Sequence, residues 1–185
     1  MTDVTHDGRR WNNADDDRVD LVSYDPRWPA LFEAEAERIR AALSGRLDFA
    51  LEHFGSTAIP GLSAKPIIDI MVVADAQSSW TSLVRPIQSI GYVFWADNPR
   101  RDRMFFVKGM PPFGERRTHH VHVRTPADAR ASILFRDHLR RHPDEAARYA
   151  SLKQELAARY PTDRDAYTEG KAQFVDEVVR RAAGG

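Results

Sequence analysis

The sequence predicts an α+β fold from three observations. The segment Ile67-Ile68-Asp69-Ile70-Met71-Val72-Val73 is almost continuously apolar, as a central strand buried on both faces should be. Other strand-like segments flank it, with one helical crossover among them. Beyond Pro126 the pattern becomes helical and stays so. Together these predict a mixed sheet with flanking helices and a C-terminal helical segment. The chain of 185 residues suits one domain, read as 19–185 behind a polar tail at 1–18.

The elements follow in order. The tail carries Asp15-Asp16-Asp17 and is expected to be disordered. Asp25 as N-cap and Pro26 at the first helical position predict a helix that Gly45 ends, with Leu31, Ile39 and Leu43 on one stripe. Leu47 to Phe54 alternates as a strand, and Gly55 to Gly61 is rich in turn residues. The apolar strand runs from Pro66 to Ala74. A helix over 77–90 is expected to stop at Gly91. Strands are predicted at Tyr92–Trp95, Met104–Lys108 and His119–Arg124, joined by loops at 97–102 and 109–117. Three helices complete the chain, Ala127–Arg141, Asp144–Tyr160 and Asp163–Ala183, divided by Pro143 and Pro161.

Composition excludes several function classes. Lys+Arg and Asp+Glu are equal at 27, which argues against broad nucleic-acid binding while allowing a local basic pocket. Cysteine is absent, so disulfides, thiolate zinc sites and a cysteine nucleophile are ruled out. The polar opening MTDVTHDGRRWNNADDDRVD has no apolar core of a signal peptide, and no apolar run is long enough for a bilayer. The expected compartment is the cytoplasm, with no membrane partner.

Two features carry chemistry. Asp69 places a carboxylate in an apolar strand, which is costly unless the group is paired, hydrogen-bonded or bound to a metal; the plainer alternative is that it caps a loop near the strand end. Gly55-Ser56-Thr57 follows a strand. Glycine lets a backbone approach a ligand, and turn N–H groups with the two hydroxyls can hold an anion; the same residues also make an ordinary β-turn.

The Gly-Ser turn, a short connector and a buried strand carrying Asp69 resemble the signature of the polymerase-β-type nucleotidyltransferase superfamily. The resemblance narrows with Tyr24-Asp25-Pro26-Arg27-Trp28, His53-Phe54-Gly55-Ser56-Thr57-Ala58-Ile59-Pro60-Gly61-Leu62 and Lys65-Pro66-Ile67-Ile68-Asp69-Ile70. His120-Val121-His122-Val123, Phe135-Arg136-Asp137-His138-Leu139-Arg140, Tyr149, Leu152-Lys153 and Tyr167-Thr168 with Lys171 continue it. The ordered series, about 21 to 180, resembles the GrpB family.

The resemblance implies a nucleotidyltransferase-like fold but no established reaction. It implies that Gly55, Ser56 and Thr57 hold a nucleoside triphosphate and that Asp69 ligates a divalent metal; His120 and His122, two apart on one strand face, can reach the same metal or the substrate, or else serve as solvent-facing or core hydrogen-bonding residues. Lys153, Tyr167 and Lys171 match the helical residues that hold the triphosphate tail in related enzymes, and Lys65 lies between the turn and Asp69. Magnesium or manganese is the expected metal, with zinc allowed by the imidazoles. Similar domains occur fused to dephospho-CoA kinase, which implies an accessory role as an alternative.

One position departs from the superfamily. A second carboxylate is expected two residues after the first, on the same strand face, and Met71 stands there. Glu52, His120 and His122 are the candidates to compensate. Arg100 and Arg103, with Arg101 between them, are expected to meet an anionic acceptor, as is Arg136, which shares a helix face with Arg140. The same arginines also suit solvated surfaces and local ion pairs. Three functions follow: a metal-dependent nucleotidyltransferase with an unidentified acceptor, a non-catalytic nucleotide-binding module, and a metal-dependent hydrolase or ligase using the histidines.

Overall fold

The computed structural model describes residues 18–75, 77–98, 102–111 and 113–184. The tail expected at 1–18 lies outside them except for Arg18, and so does the Pro99-Arg100-Arg101 part of the arginine loop. The chain divides into two compact units.

The first unit comprises Arg27–His53 and Ile67–Ala129 among the described residues. Its first helix, α1, spans Trp28–Leu43 and begins later than Asp25 and Pro26 predict. Arg27 is the N-cap, its side chain making no capping hydrogen bond, and Pro29 takes an early helical position, where its missing N–H leaves nothing unsatisfied. Trp28, Phe32, Ala36, Ile39 and Leu43 form its buried stripe. The strands are β1 Ala50–Phe54, whose last residue falls to the second unit, β2 Ile68–Val73, β3 Tyr92–Phe94, β4 Met104–Lys108 and β5 His119–Arg124. Between β2 and β3 the expected helix is a 3₁₀ segment, Gln77–Leu83, followed by the short α2, Val84–Ser89.

These strands form one sheet in the order β1-β2-β5-β4-β3. The apolar strand β2 is internal to it, as its composition predicts. It pairs in parallel with β5, while β5–β4 and β4–β3 are antiparallel. Ile70, Val72, Phe106, Val121 and Val123 are fully buried, as are Ile39 and Leu43 of α1 and Leu83 and Ile87 of the crossover. Lys108 reaches the buried Glu35 of α1, with its Nζ at 2.7 and 2.9 Å from the two carboxylate oxygens. Burial alone would raise Glu35, but the hydrogen bond and charge of Lys108 hold it below the usual carboxylate range.

The second unit holds, of the described residues, 18–26, 54–66 and 130–184. Helix α3 runs Pro126–Arg141, reaching it from the first unit, and α4 spans Pro143–Arg159. The single helix expected over 163–183 is two, α5 Arg164–Glu169 and α6 Ala172–Gly184. Gly170 caps the end of α5, and a Cβ there would lie 2.4 Å from Leu156 Cδ2, so a larger residue would have to displace that side chain. Ile59, Leu62, Leu139, Tyr149 and Val178 make one core cluster, and Val19, Leu156 and Tyr167 another. A bridge between Val22 and Ala64 ties the first described segment to the turn-rich one.

Asp163 is the N-cap of α5, its Oδ1 accepting from Ala166 N at 3.0 Å. Asp163→Ala is expected to cost about 1 kcal/mol, read as a lower urea midpoint with an unchanged slope. An unchanged midpoint would mean that tertiary packing alone fixes the start of α5.

Candidate functional site

In the first unit the parallel register sets Asp69 beside His120 and Met71 beside His122. Antiparallel pairing then sets Phe105 beside His122. Alternate residues of a strand share a face, so one side of the sheet carries Asp69, Met71, His120, His122 and Phe105. His120 Nδ1 lies 3.0 Å from Asp69 Oδ1 and donates to it, and His122 Nε2 lies 3.9 Å from the same oxygen. All three side chains are partly buried, with 13% of His120, 17% of His122 and 26% of Asp69 exposed, so the group is reachable from solvent. The Phe105 ring stands 5.0 Å from the His120 ring and 4.7 Å from the His122 ring, centroid to centroid. Trp95 meets the Phe105 ring edge-on at 5.8 Å.

The electrostatics suit metal ligation. Burial pulls the Asp69 carboxyl upward, but hydrogen bonds and charge from His120 and His122 outweigh it and hold the group well below the usual carboxylate range. Burial pushes His122 down to about 4 against the opposing pull of Asp69, so its imidazole is neutral at pH 7 with a lone pair to give. One carboxylate oxygen and two imidazole nitrogens lie within 4.8 Å of one another. An ion with bonds of about 2.1 Å needs its donors roughly 3 Å apart, a contraction that side-chain rotation can supply. The residues therefore fit a divalent ion. Glu52 is not in this group. Met71, on the same face, is fully buried.

The second unit contains the other expected residues. Gly55 has φ 72 and ψ −173, a conformation that side-chain-bearing residues rarely adopt, and it leads into a 3₁₀ turn, Ser56–Ala58. Thr57 is buried there. Two helical cations take carbonyls of this segment: Arg140 Nε donates to Ala58 O at 2.9 Å, and Lys153 Nζ donates to Ser63 O. Lys153 is only 1% exposed, with its amine 5.1 Å from the Tyr149 ring centroid. Burial first, and the charge of Lys171 second, press that amine down to about 7. Lys65 and Lys171 both stand over the Tyr167 ring, at 5.3 and 4.2 Å. Burial raises the Tyr167 hydroxyl to about 12, so it remains a donor at neutral pH.

Arg136 is buried, and its Nε donates to Asp137 Oδ1 at 2.7 Å. Arg103 makes a two-pronged contact with Asp102, at 3.1 and 2.5 Å. Arg100 lies outside the described residues. Sequence reasoning missed Phe105, whose only signal is its alternation with Phe106 on a strand beside the histidines. It also missed the carbonyl-holding role of Arg140, for which no local signal exists. A cavity of about 780 Å³ in the first unit is lined by Arg38, Lys108, Phe113, Arg116 and Thr118 rather than by the triad. Lys108 adjoins Val107, the register partner of His120, so strand alternation puts its side chain on the other face of the sheet.

Comparison with known proteins matches residues 18–181 to the GrpB protein family. A UPF0157 protein of Pseudomonas aeruginosa is 57% identical over 95% of this chain and 72% of its own length. The crystal structure of the conserved protein GrpB from Enterococcus faecalis superimposes with a TM-score of 0.77 at 31% identity, covering 88% of this chain and 96% of that one. A dephospho-CoA kinase of Mycolicibacterium paratuberculosis is 31% identical over 89% of this chain, which spans only 46% of that protein. No helix among the described residues is long and apolar enough to cross a membrane.

Proposed function

The chain belongs to the GrpB family, and from that premise we propose that it binds a nucleoside triphosphate with a divalent metal and transfers the nucleotidyl group to a small acceptor. The observation that carries this reading is the convergence of Asp69, His120 and His122. Those three residues would hold the ion. A divalent ion at such a centre neutralises phosphate oxygens and orients them, which is most of what phosphoryl chemistry asks of a protein.

The chain's own residues have separable parts. Asp69 stays ionised and supplies the negative charge. His122 stays neutral and supplies a lone pair. Phe105 covers one side of both imidazoles with hydrocarbon. In the second unit, Gly55, Ser56 and Thr57 provide backbone and hydroxyl donors for phosphate oxygens. Lys65 and Lys171 supply positive charge there, and the Tyr167 hydroxyl donates. Arg140 and Lys153 hold the segment's carbonyls and thereby fix its shape. On this reading the activity belongs with its triphosphate substrate in the cytoplasm.

Met71 favours a second reading, a non-catalytic nucleotide-binding module. A buried thioether replaces the carboxylate that would complete a two-metal site. The similarity to a dephospho-CoA kinase, of which this chain spans less than half, supports an accessory role of that kind. Thermal shift across the four ribonucleoside triphosphates, with magnesium, manganese or zinc, tests what the readings share. Stabilisation of about 2.7 kcal/mol is expected at a hundred times the dissociation constant. No shift with any pair would remove both. Pyrophosphate release separates them: turnover supports the transferase, and binding without turnover the module.

A further inference from the structure

We infer that the Asp69-His120-His122 centre takes a borderline transition ion, of the zinc, manganese and iron(II) class, and discriminates against magnesium. The inference rests on the metal part of the reading above and specifies which ion the site is built for.

The donor set decides the matter. It offers two nitrogens and one carboxylate group within 4.8 Å. Magnesium requires near-octahedral oxygen coordination and dehydrates reluctantly, so a single carboxylate is a poor host for it. Imidazole suits zinc, manganese and iron, and two histidines with one carboxylate leave coordination positions open for a substrate. The neighbouring positions do not restore a hard-oxygen site. Met71 is the residue on this face between Asp69 and the strand's end that would have to supply a second carboxylate, and it is a fully buried thioether. Glu52 stands outside the group. The Phe105 ring, 5.0 and 4.7 Å from the two imidazoles, adds hydrocarbon and no oxygen donor beside them.

Charge points to the ligand that completes the centre. As metal ligands the two imidazoles bring no charge and the carboxylate brings one negative charge, so a divalent ion leaves the centre with a net charge of about +1. An anionic oxygen, of a phosphate or a carboxylate, is the group such a centre attracts. The three donors come from two adjacent strands in parallel register, a rigid support that preserves the selectivity.

The test uses the metals alone. The full chain, stripped with chelator and dialysed, is titrated calorimetrically with zinc, manganese and magnesium chlorides in the absence of nucleotide. One equivalent of zinc is expected to bind, manganese more weakly in keeping with the divalent-metal series, and magnesium at least 100-fold more weakly than manganese. Cobalt(II) should give a visible absorption band that vanishes on adding zinc. His122→Ala is expected to lose zinc by 100-fold or more with its circular dichroism unchanged. His122→Asp, which restores an oxygen donor, should gain magnesium affinity as it loses zinc. Should His122→Ala fail to fold, the wild-type ranking and the cobalt spectrum decide alone. Magnesium binding as tight as manganese, or zinc binding unaltered in both folded His122 variants, overturns the inference. Nucleotide-dependent stabilisation with magnesium but no zinc binding overturns it while leaving the proposed function standing. Zinc binding without any nucleotide effect supports it and removes that function instead.

Discussion

Asp69→Asn is expected to lose metal affinity by 100-fold or more while keeping the wild-type fold. The amide matches the carboxylate in shape and can still take a hydrogen bond from His120, whose Nδ1 lies 3.0 Å from Asp69 Oδ1. What it lacks is charge, and among the described residues the carboxylate is the only negative ligand in the centre. The substitution also tests the site's contribution to stability. Asp69 has a folded pKa below its ordinary value of 3.8, so its stabilisation is present above that value and lost as pH falls below it. The variant should therefore unfold less steeply with acid below about pH 4 than the wild type. Calorimetry with zinc or manganese, alongside acid titration followed by circular dichroism, reads both effects. Equal metal binding by the two proteins would remove Asp69 from the centre.

Lys153 should make unfolding strongly pH-dependent on the alkaline side. Its folded pKa is about 7 against an ordinary 10.5. Between these values the unfolded chain keeps a proton that the folded chain has released, so the folded state gains stability as pH rises. From pH 7 to pH 9 this one group should add roughly 2 kcal/mol to the unfolding free energy. Below pH 7 the folded state must charge a buried amine, and the penalty is fully present. Lys153→Met should lack the alkaline gain. The slope is the decisive reading rather than the level, because the variant also leaves Ser63 O without its donor. Urea denaturation of both proteins at pH 7, 8 and 9 measures it. Parallel slopes would mean that Lys153 is charged throughout and that its burial is compensated within the folded state.

The resemblance to the GrpB family was legible in short ordered fragments, and the match over 18–181 establishes it. The α+β class was legible for a physical reason. A run such as Ile67 to Val73 has no polar face, and only a strand covered on both sides satisfies it. The ends of β4 and β5 fall at the predicted residues. Helix ends were less legible. Pro26 and Pro29 both suit a first turn, and burial of Trp28 against the core accompanies the later start. The break at Gly170 was not read from the sequence, although a glycine is a local helix-stop signal, and the Leu156 side chain packed against it comes from another helix.

The sequence by itself determined the family, the fold class and the chemical inventory: a lone carboxylate in an apolar strand, two histidines at alternate positions, and a glycine turn. Tertiary structure alone decided how that inventory combines. The parallel pairing of β2 with β5 brings Asp69 to His120 across 51 residues, and the sheet order puts Phe105 against both rings. It also buries Lys153, which by residue type belongs on a solvated helix face, and gives its amine to Ser63 O. Alternation and periodicity are local, so they tell which face of an element is apolar. Strand register and the neighbours of a buried charge depend on packing the whole chain at once, and no local pattern carries that information.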